Sequence, residues 1–402
     1  MVRYLITMAL LSVLGCCLYV STSVAQEKRP IRIGVLGDMT GPTAALGGQG
    51  AVVAAQLAAE DHNGTVLDRP IEILSADHQN KPDVGSLIAR QWFDRDHVDA
   101  VTDLANSGVA LAVIGVAEKA HRFSMVTNAS AAEVTSRACS SYVSHWTDDT
   151  NALTRVVGQL GLEKLGRKWF FVVLDLVFGE AIARDTSAIV TGGGGEVLGV
   201  VKHPLGTSDM SPYLLRALES RADVIALGNV GTDLVNSVKQ AAEFGLDRSG
   251  KKLVTFFTTI ADIDAVGLES AQGMYVVGNF YWDQNDATRV FALRFQNRTG
   301  KMPTKQQAAT YAAVRHYLEA VKAVGTDDPD AVAVPFHARP ADFFGQRGVV
   351  REDGRVLLEV NLFKVKAPAA SNGRWDDYDL IASLPAAQVY LGRNPHCDTQ
   401  RK

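Results

Sequence analysis

Asn106 and Ser107 stand between a short apolar run, Ala100 to Asp103, and a segment with helical apolar spacing, Val109 to Ala120. In that position a hydroxyl and the unpaired amides of a helix N-terminus can face an anion together, and a carboxylate fits the description. The plainer role for Ser107 is to cap the helix, worth about 1 kcal/mol. Asn128, Ala129 and Ser130 follow the next apolar run, Phe123 to Val126, and offer a second hydroxyl and backbone groups at the same sheet edge. Upstream, Gly37 to Gly50 reverses the chain through several glycines, which can adopt positive φ and let backbone approach a ligand closely.

Residue types suited to turnover are present without the spacing that turnover needs. The nine His form no HExxH or HxxxH pair and have no Cys partners at zinc spacing. No GxSxG elbow frames a serine, which argues against a secreted hydrolase. Gly47-Gly48-Gln49-Gly50 lacks the GxGxxG pattern of a dinucleotide site, and Gly192 to Gly195 reads as a turn. Asp148-Asp149 and Asp327-Asp328 read as loop or helix-cap carboxylates. The expectation is a binding protein and not an enzyme, with no cofactor and no metal. A net charge of −4 leaves no basic excess for a phosphate backbone, so nucleic acid is not an expected partner.

The elements that must position these residues alternate along the chain. Its 402 residues are 47% hydrophobic and 21% charged, a globular composition with room for two domains. Strand Ile31 to Leu36, helix Ala51 to His62, strand Ile71 to Leu74, helix Val84 to Asp94, strand Ala100 to Asp103, helix Val109 to Ala120 and strand Phe123 to Val126 form a first unit. The series restarts with strand Trp169 to Leu174, helix Ala181 to Thr191, strand Val197 to Val201 and helix Met210 to Glu219. Strand Val224 to Leu227, helix Asp233 to Phe244 and strand Leu253 to Thr258 complete it. Two α/β, Rossmann-like lobes with parallel central sheets are predicted. Ligands of such sheets bind beyond the carboxyl ends of the strands, so two facing lobes would pool their loops in one cleft.

Arg3, the apolar run Tyr4 to Leu14 and the small residues Ser23-Val24-Ala25 read as a signal peptide over residues 1–25, cleaved near Ala25/Gln26 for export to the periplasm. Val13-Leu14-Gly15-Cys16 is a partial lipoprotein signal, but Leu18 to Val20 would then open the mature chain with apolar residues. Cleavage leaves Cys139 and Cys397. In an oxidising compartment a single disulfide is the economical reading, with two buried free thiols as the alternative.

On these residues the chain resembles the type I periplasmic solute-binding proteins of ABC transporters, in the branched-chain amino-acid (Leu/Ile/Val-binding) family. The match runs from Ile31 to about Gly348. It rests on an ordered series: Ile33-Gly34 through Thr40-Gly41-Pro42, Asp77 with Pro82, Asn106 to Ala110, Thr127 to Thr135, Phe178-Gly179, Asn229 to Asp233, and Thr299-Gly300 to Tyr311. The resemblance implies three crossings between lobes, near Tyr142 to Trp146, Gly278 to Trp282 and Phe344 to Gly348. The N-terminal lobe would comprise 26–143 plus 279–345, and the C-terminal lobe 144–278 plus 346–402. A Cys139–Cys397 bridge would then tie the tail to the hinge. The implied role is a monomeric importer component that contacts a permease, itself paired with an ATPase subunit. A ligand sensor of the same fold, feeding a receptor or regulator, is the alternative.

The resemblance places the ligand carboxylate at Asn106 and Ser107, with contacts from Asn128, Ala129 and Ser130 and from Phe178, Asn229 and Val230 of the second lobe. Amino-acid binders place a carboxylate for the ligand ammonium after the strand Leu253 to Thr258; Ile260 stands there, with Asp262 two residues on. The tracts Ala76 to Gly85 and Tyr281-Trp282-Asp283 resemble a subgroup associated with aromatic or other amine-free carboxylates. Leu46, Phe178, Ile260 and Tyr281 would then supply apolar surface for a flat ring. The expected ligand is a small carboxylate, an aromatic acid in preference to a branched-chain amino acid.

Overall fold

The structure is a computed structural model in which residues 29–246, 249–394 and 397 are described. The expected signal peptide lies outside them. Short, largely apolar runs such as Phe123–Val126 are buried along their whole length, as strands covered by helices on both faces require. The first lobe opens with β1 (Ile31–Gly37), α1 (Gly48–Glu60), β2 (Thr65–Val66), β3 (Arg69–Asp77), α2 (Pro82–Asp94), β4 (Ala100–Asp103), α3 (Ser107–Lys119), β5 (Phe123–Val126) and β6 (Val143–His145). Its sheet has the order β2-β3-β1-β4-β5-β6, parallel except for the β2–β3 hairpin.

The second lobe follows with α4 (Thr150–Lys164), β7 (Lys168–Leu174), α5 (Val177–Gly192), β8 (Glu196–His203), α6 (Ser211–Glu219), β9 (Val224–Gly228), α7 (Gly231–Glu243), β10 (Lys252–Thr255), α8 (Ile260–Val266), α9 (Leu268–Ala271) and β11 (Tyr275–Gly278). The chain returns to the first lobe for α10 (Asp286–Thr299), α11 (Lys305–Val324), α12 (Pro329–Ala338) and the small antiparallel sheet β12 (Ala341–Phe343), β13 (Gln346–Val350), β14 (Val356–Leu357). It ends on the second with β15 (Val360–Val365), β16 (Tyr378–Leu384) and α13 (Ala386–Val389). That sheet has the order β16-β15-β11-β10-β9-β7-β8, with β15 and β16 antiparallel at its edge.

Helix α11 is buried over most of its length. Its Ala308, Ala309, Ala312 and Ala313 share a core with Ala51, Ala54, Ala55 and Ala58 of α1, where small side chains let two helices approach closely. The third crossing differs from the expectation of 344–348. Val350, Val356 and Leu358 are buried in the first lobe's core, and the chain joins the second sheet only at β15, so the crossing lies at residues 358–360. The short hairpin β13–β14 finds its apolar cover on the first lobe, which holds the chain there longer.

The crossing segments are bonded to one another. Asn279 Nδ2 donates to Trp146 O (3.2 Å), and His145 N donates to Gly354 O (2.8 Å). Arg355, fully buried, donates to Thr147 O and lies 3.5 Å from Asp149. Cys139 and Cys397 form a disulfide with Cα atoms 5.9 Å apart, tying the tail to the segment before β6.

Candidate functional site

Both sheets repeat one strand order, with the first strand of each lobe lying between the next two strands that run parallel to it: β3-β1-β4 and β8-β7-β9. The loops that diverge there, at the carboxyl ends of the strands, open a crevice in each lobe. The two crevices meet. Loops after β1, β3, β4 and β5 of the first lobe and after β7 to β10 of the second line one cavity of about 210 Å³. One water needs roughly 10–15 Å³ on that measure, so this is room for a small organic molecule.

The first-lobe wall mixes apolar residues such as Leu46, Pro82 and Ala105 with uncharged polar side chains. Asn106 caps α3, its Oδ1 accepting from Gly108 N at 2.9 Å, which leaves Ser107 at the first helical position in the cavity wall. Asp103, Leu104 and Asn106 hold φ of 73°, 58° and 72°, a strained stretch of the kind that accumulates at binding sites. The buried Asp103 carboxylate accepts from Asn128 Nδ2 (2.7 Å) and Gly48 N (3.2 Å). Burial pushes its pKa up to about 7, against the lowering effect of those two donors. A Cβ on Gly47 would come within 2.3 Å of the same carboxylate, so the loop can close over it only with glycine there. Ser130 is buried and its Oγ has no protein partner. Its segment is held from behind: burial keeps His145 neutral, its Nε2 bonds Ala129 O at 2.7 Å, and Thr150 N donates to Ser130 O at 2.8 Å.

Asp38 organises the rim. It accepts from Gly41 N (2.7 Å), Thr43 N (2.9 Å), Thr43 Oγ1 (2.6 Å) and Asn80 Nδ2 (2.6 Å), and so presents Thr43 and Asn80 to the cavity.

The second-lobe wall is apolar: Leu174, Leu176, Val177, Phe178, Leu205, Val230 and Phe257. The rings of Phe178 and Phe257 pair at 5.6 Å with a tilt of 57°. The turn that delivers Phe178 requires Gly179, because a Cβ there would sit 2.0 Å from Leu174 O. Leu205 rides on a loop pinned by Asp233, whose carboxylate accepts from Gly206 N at 3.0 and 3.1 Å. The lobes touch beside the cavity, where Thr232 N donates to Pro42 O at 3.1 Å. Among the described residues, the cavity wall contains no ionisable side chain, and no group of three or more His, Cys, Asp or Glu is placed to hold a metal ion.

Of the residues expected at the site, Leu46, Asn106, Ser107, Asn128, Ala129, Ser130, Phe178 and Val230 line this cavity. Four do not. Asn229 points into the lobe, its Nδ2 donating to Ser237 Oγ at 2.6 Å. Asp262 closes a capping box on α8, accepting from Thr259 N (2.8 Å) and Thr259 Oγ1 (2.7 Å), so it is committed to its own helix. Ile260 and Tyr281 line a separate, much smaller void, and the Tyr281 hydroxyl donates to Trp375 O at 2.8 Å. The strand expected to reach Thr258 stops at Thr255; Phe257 then takes the wall position that Ile260 was expected to hold, and Ile260 becomes the first residue of a helix. Thr43, Asn80, Pro82, Leu174, Leu176, Val177, Leu205 and Phe257 were not foreseen as wall residues. Asn80 and Pro82 lie in a tract already conspicuous in the sequence, whereas nothing local marks Leu205.

Residues 30–374 match the family described as periplasmic binding protein. A crystal structure of a periplasmic binding protein from Burkholderia mallei is 36% identical, with a TM-score of 0.88 over 92% of this chain and 99% of that one. A branched chain amino acid ABC transporter periplasmic ligand-binding protein from Burkholderia xenovorans LB400 is also 36% identical, with a TM-score of 0.80 over 89% and 96%. At 21% identity, a solute binding protein from Rhodopseudomonas palustris BisB5 in complex with 3,4-dihydroxy benzoic acid shares the fold, with a TM-score of 0.82 over 89% and 98%. Leu/Ile/Val-binding protein homolog 6 of Brucella melitensis is 26% identical over 248 residues, 61% of this chain; the match spans 63% of that relative's length.

Proposed function

The chain belongs to the periplasmic binding protein family, and from that premise we propose that it captures a small aromatic carboxylate between its lobes for delivery to an ABC importer. The observation that carries the reading is the character of the two walls. Ser107, Ser130 and those first amides of α3 that the Asn106 cap leaves open can donate to a carboxylate, with the helix dipole favouring negative charge there. Opposite them stand Phe178 and Phe257, suited to stacked or edge contact with a ring. An α-amino acid would bring an ammonium into a wall without a carboxylate to meet it, and an unpaired buried charge costs several kcal/mol. The Rhodopseudomonas protein with its dihydroxybenzoate is consistent with this class. The Burkholderia xenovorans protein's name favours the competing amino-acid reading.

A ligand that binds only the native state raises the melting point, so a thermal-shift panel separates the two. Benzoate-type acids should stabilise the protein, and Leu, Val and Phe should not. Ser107→Ala should weaken the best acid by about 1–3 kcal/mol, measured by calorimetry. Stabilisation by branched-chain amino acids alone would overturn the reading.

A further inference from the structure

One buried polar atom in a residue of the cavity wall has nothing to offer a carboxylate. Asn80 lies in the turn between β3 and α2, where Gln79 and Asn80 both take positive φ, 53° and 56°. Three hydrogen bonds to or from side chains hold that turn. Asp77 Oδ1 accepts from Gln79 N (2.7 Å), His78 Nδ1 accepts from Asn80 N (3.0 Å), and Asp38 Oδ2 accepts from Asn80 Nδ2 (2.6 Å). Burial keeps His78 neutral, with its pKa lowered to about 4, so its Nδ1 stays available as an acceptor.

Both oxygens of Asp38 already accept from backbone N–H groups, so the Asn80 amide has one sensible orientation: Nδ2 toward Asp38 and Oδ1 away from it. Flipping the amide would set two acceptors against each other at 2.6 Å. Oδ1 is thereby fixed as an acceptor, and it is buried without a protein partner in a residue of the cavity wall. Buried amide oxygens are rarely left so, because the lost hydration is not returned. The ligand carboxylate cannot satisfy it. A donor elsewhere on the ligand can.

We propose that Asn80 is a specificity residue whose Oδ1 accepts a hydrogen bond from a hydroxyl or neutral amine on the ligand's ring, so that the preferred ligands are hydroxy- or amino-substituted aromatic acids. The inference rests on the aromatic-acid reading and adds to it the second polar group of the ligand. Sites built to bond a ligand hydroxyl reject analogues that lack it, because their own polar groups are left unpaired.

The test is calorimetric titration with benzoate, the 3- and 4-hydroxybenzoates, the 3- and 4-aminobenzoates, and the methyl ethers of the hydroxy acids, which keep the oxygen and lose the donor. The best hydroxy or amino acid should bind about tenfold or more tighter than benzoate and than the methyl ethers. In Asn80→Ala that ratio should fall towards one. Thr40→Val takes a donor from Asp77, which holds the same turn, but lies outside the cavity wall and leaves the Asn80 oxygen in place, so the ratio should survive there. Equal affinity for benzoate and its hydroxy derivatives in the native protein would overturn the inference while leaving the aromatic-acid reading intact. A ratio that persists in Asn80→Ala, or collapses equally in Thr40→Val, would remove Asn80 from the role. Binding of no benzoate-type acid at all would sink the underlying reading first.

Discussion

Replacing Lys305 with Met should lower the unfolding free energy by about 3–5 kcal/mol, the usual cost of leaving a buried charge without its partner. Lys305 begins α11 and is only 4% exposed. Its Nζ lies 3.1 Å from Asp148 Oδ2, donates to Val277 O at 2.9 Å, and sits 4.8 Å over the ring of Phe257. One cation therefore joins the first crossing segment, the strand before the second, and an aromatic residue of the cavity wall. Methionine would fill the volume and leave the fully buried Asp148 facing no cation. The companion variant is Lys305→Met with Asp148→Leu, because replacing both partners by apolar groups is often near neutral. Denaturant unfolding should show the double variant recovering much of the loss. A double variant as unstable as the single would mean that the damage comes from packing.

Gly231→Ala should weaken ligand binding by about 30- to 100-fold while costing the ligand-free protein about 1 kcal/mol. Gly231 opens α7 with φ of +55°, a mildly unfavourable conformation for alanine wherever the lobes stand. The larger effect arises across the cleft. A Cβ on Gly231 would lie 2.2 Å from Pro42 O of the first lobe, beside the bond from Thr232 N to that oxygen. The substitution penalises the closed arrangement specifically, and a ligand held by both walls depends on closure. Calorimetry gives the affinity and a melting curve the stability. Loss of both in equal measure would indicate a folding defect, and unchanged affinity would mean that binding does not need the lobes in contact.

How far the residues foretell this depends on where their constraints lie. Ala100–Asp103 and Phe123–Val126 are recognisable as strands to the residue, since both are short, wholly buried runs bounded by turns. The loop that follows each of them ends in a hydroxyl at a sheet edge, and Ser107 and Ser130 do line the cavity. The edge strand β16 is harder to see. In β16 most side chains stay exposed or half-buried, so the run lacks the continuous apolar character that marks the parallel strands.

The second-lobe wall is the least legible part. Phe256 and Phe257 continue the apolar run of β10, and composition cannot tell that pairing stops at Thr255. Phe257 belongs to the wall because the strand ends two residues before it, and Asp262 is excluded because Thr259 claims its carboxylate. Both facts are tertiary. Asn80 is intermediate: its tract is conspicuous in the sequence, but the direction of its amide follows only from Asp38, 42 residues away along the chain.

The central claim is that one cavity holds a carboxylate against the first lobe and its ring against the second, and a crystal structure of the protein grown with benzoate tests it most directly. The expected density places the carboxylate within hydrogen-bond reach of Ser107, at the start of α3, and Ser130, with the ring packed against the Phe178–Phe257 pair. Benzoate in the reverse orientation, benzoate outside the interlobe cavity, or an empty cavity at saturating concentration would each contradict it.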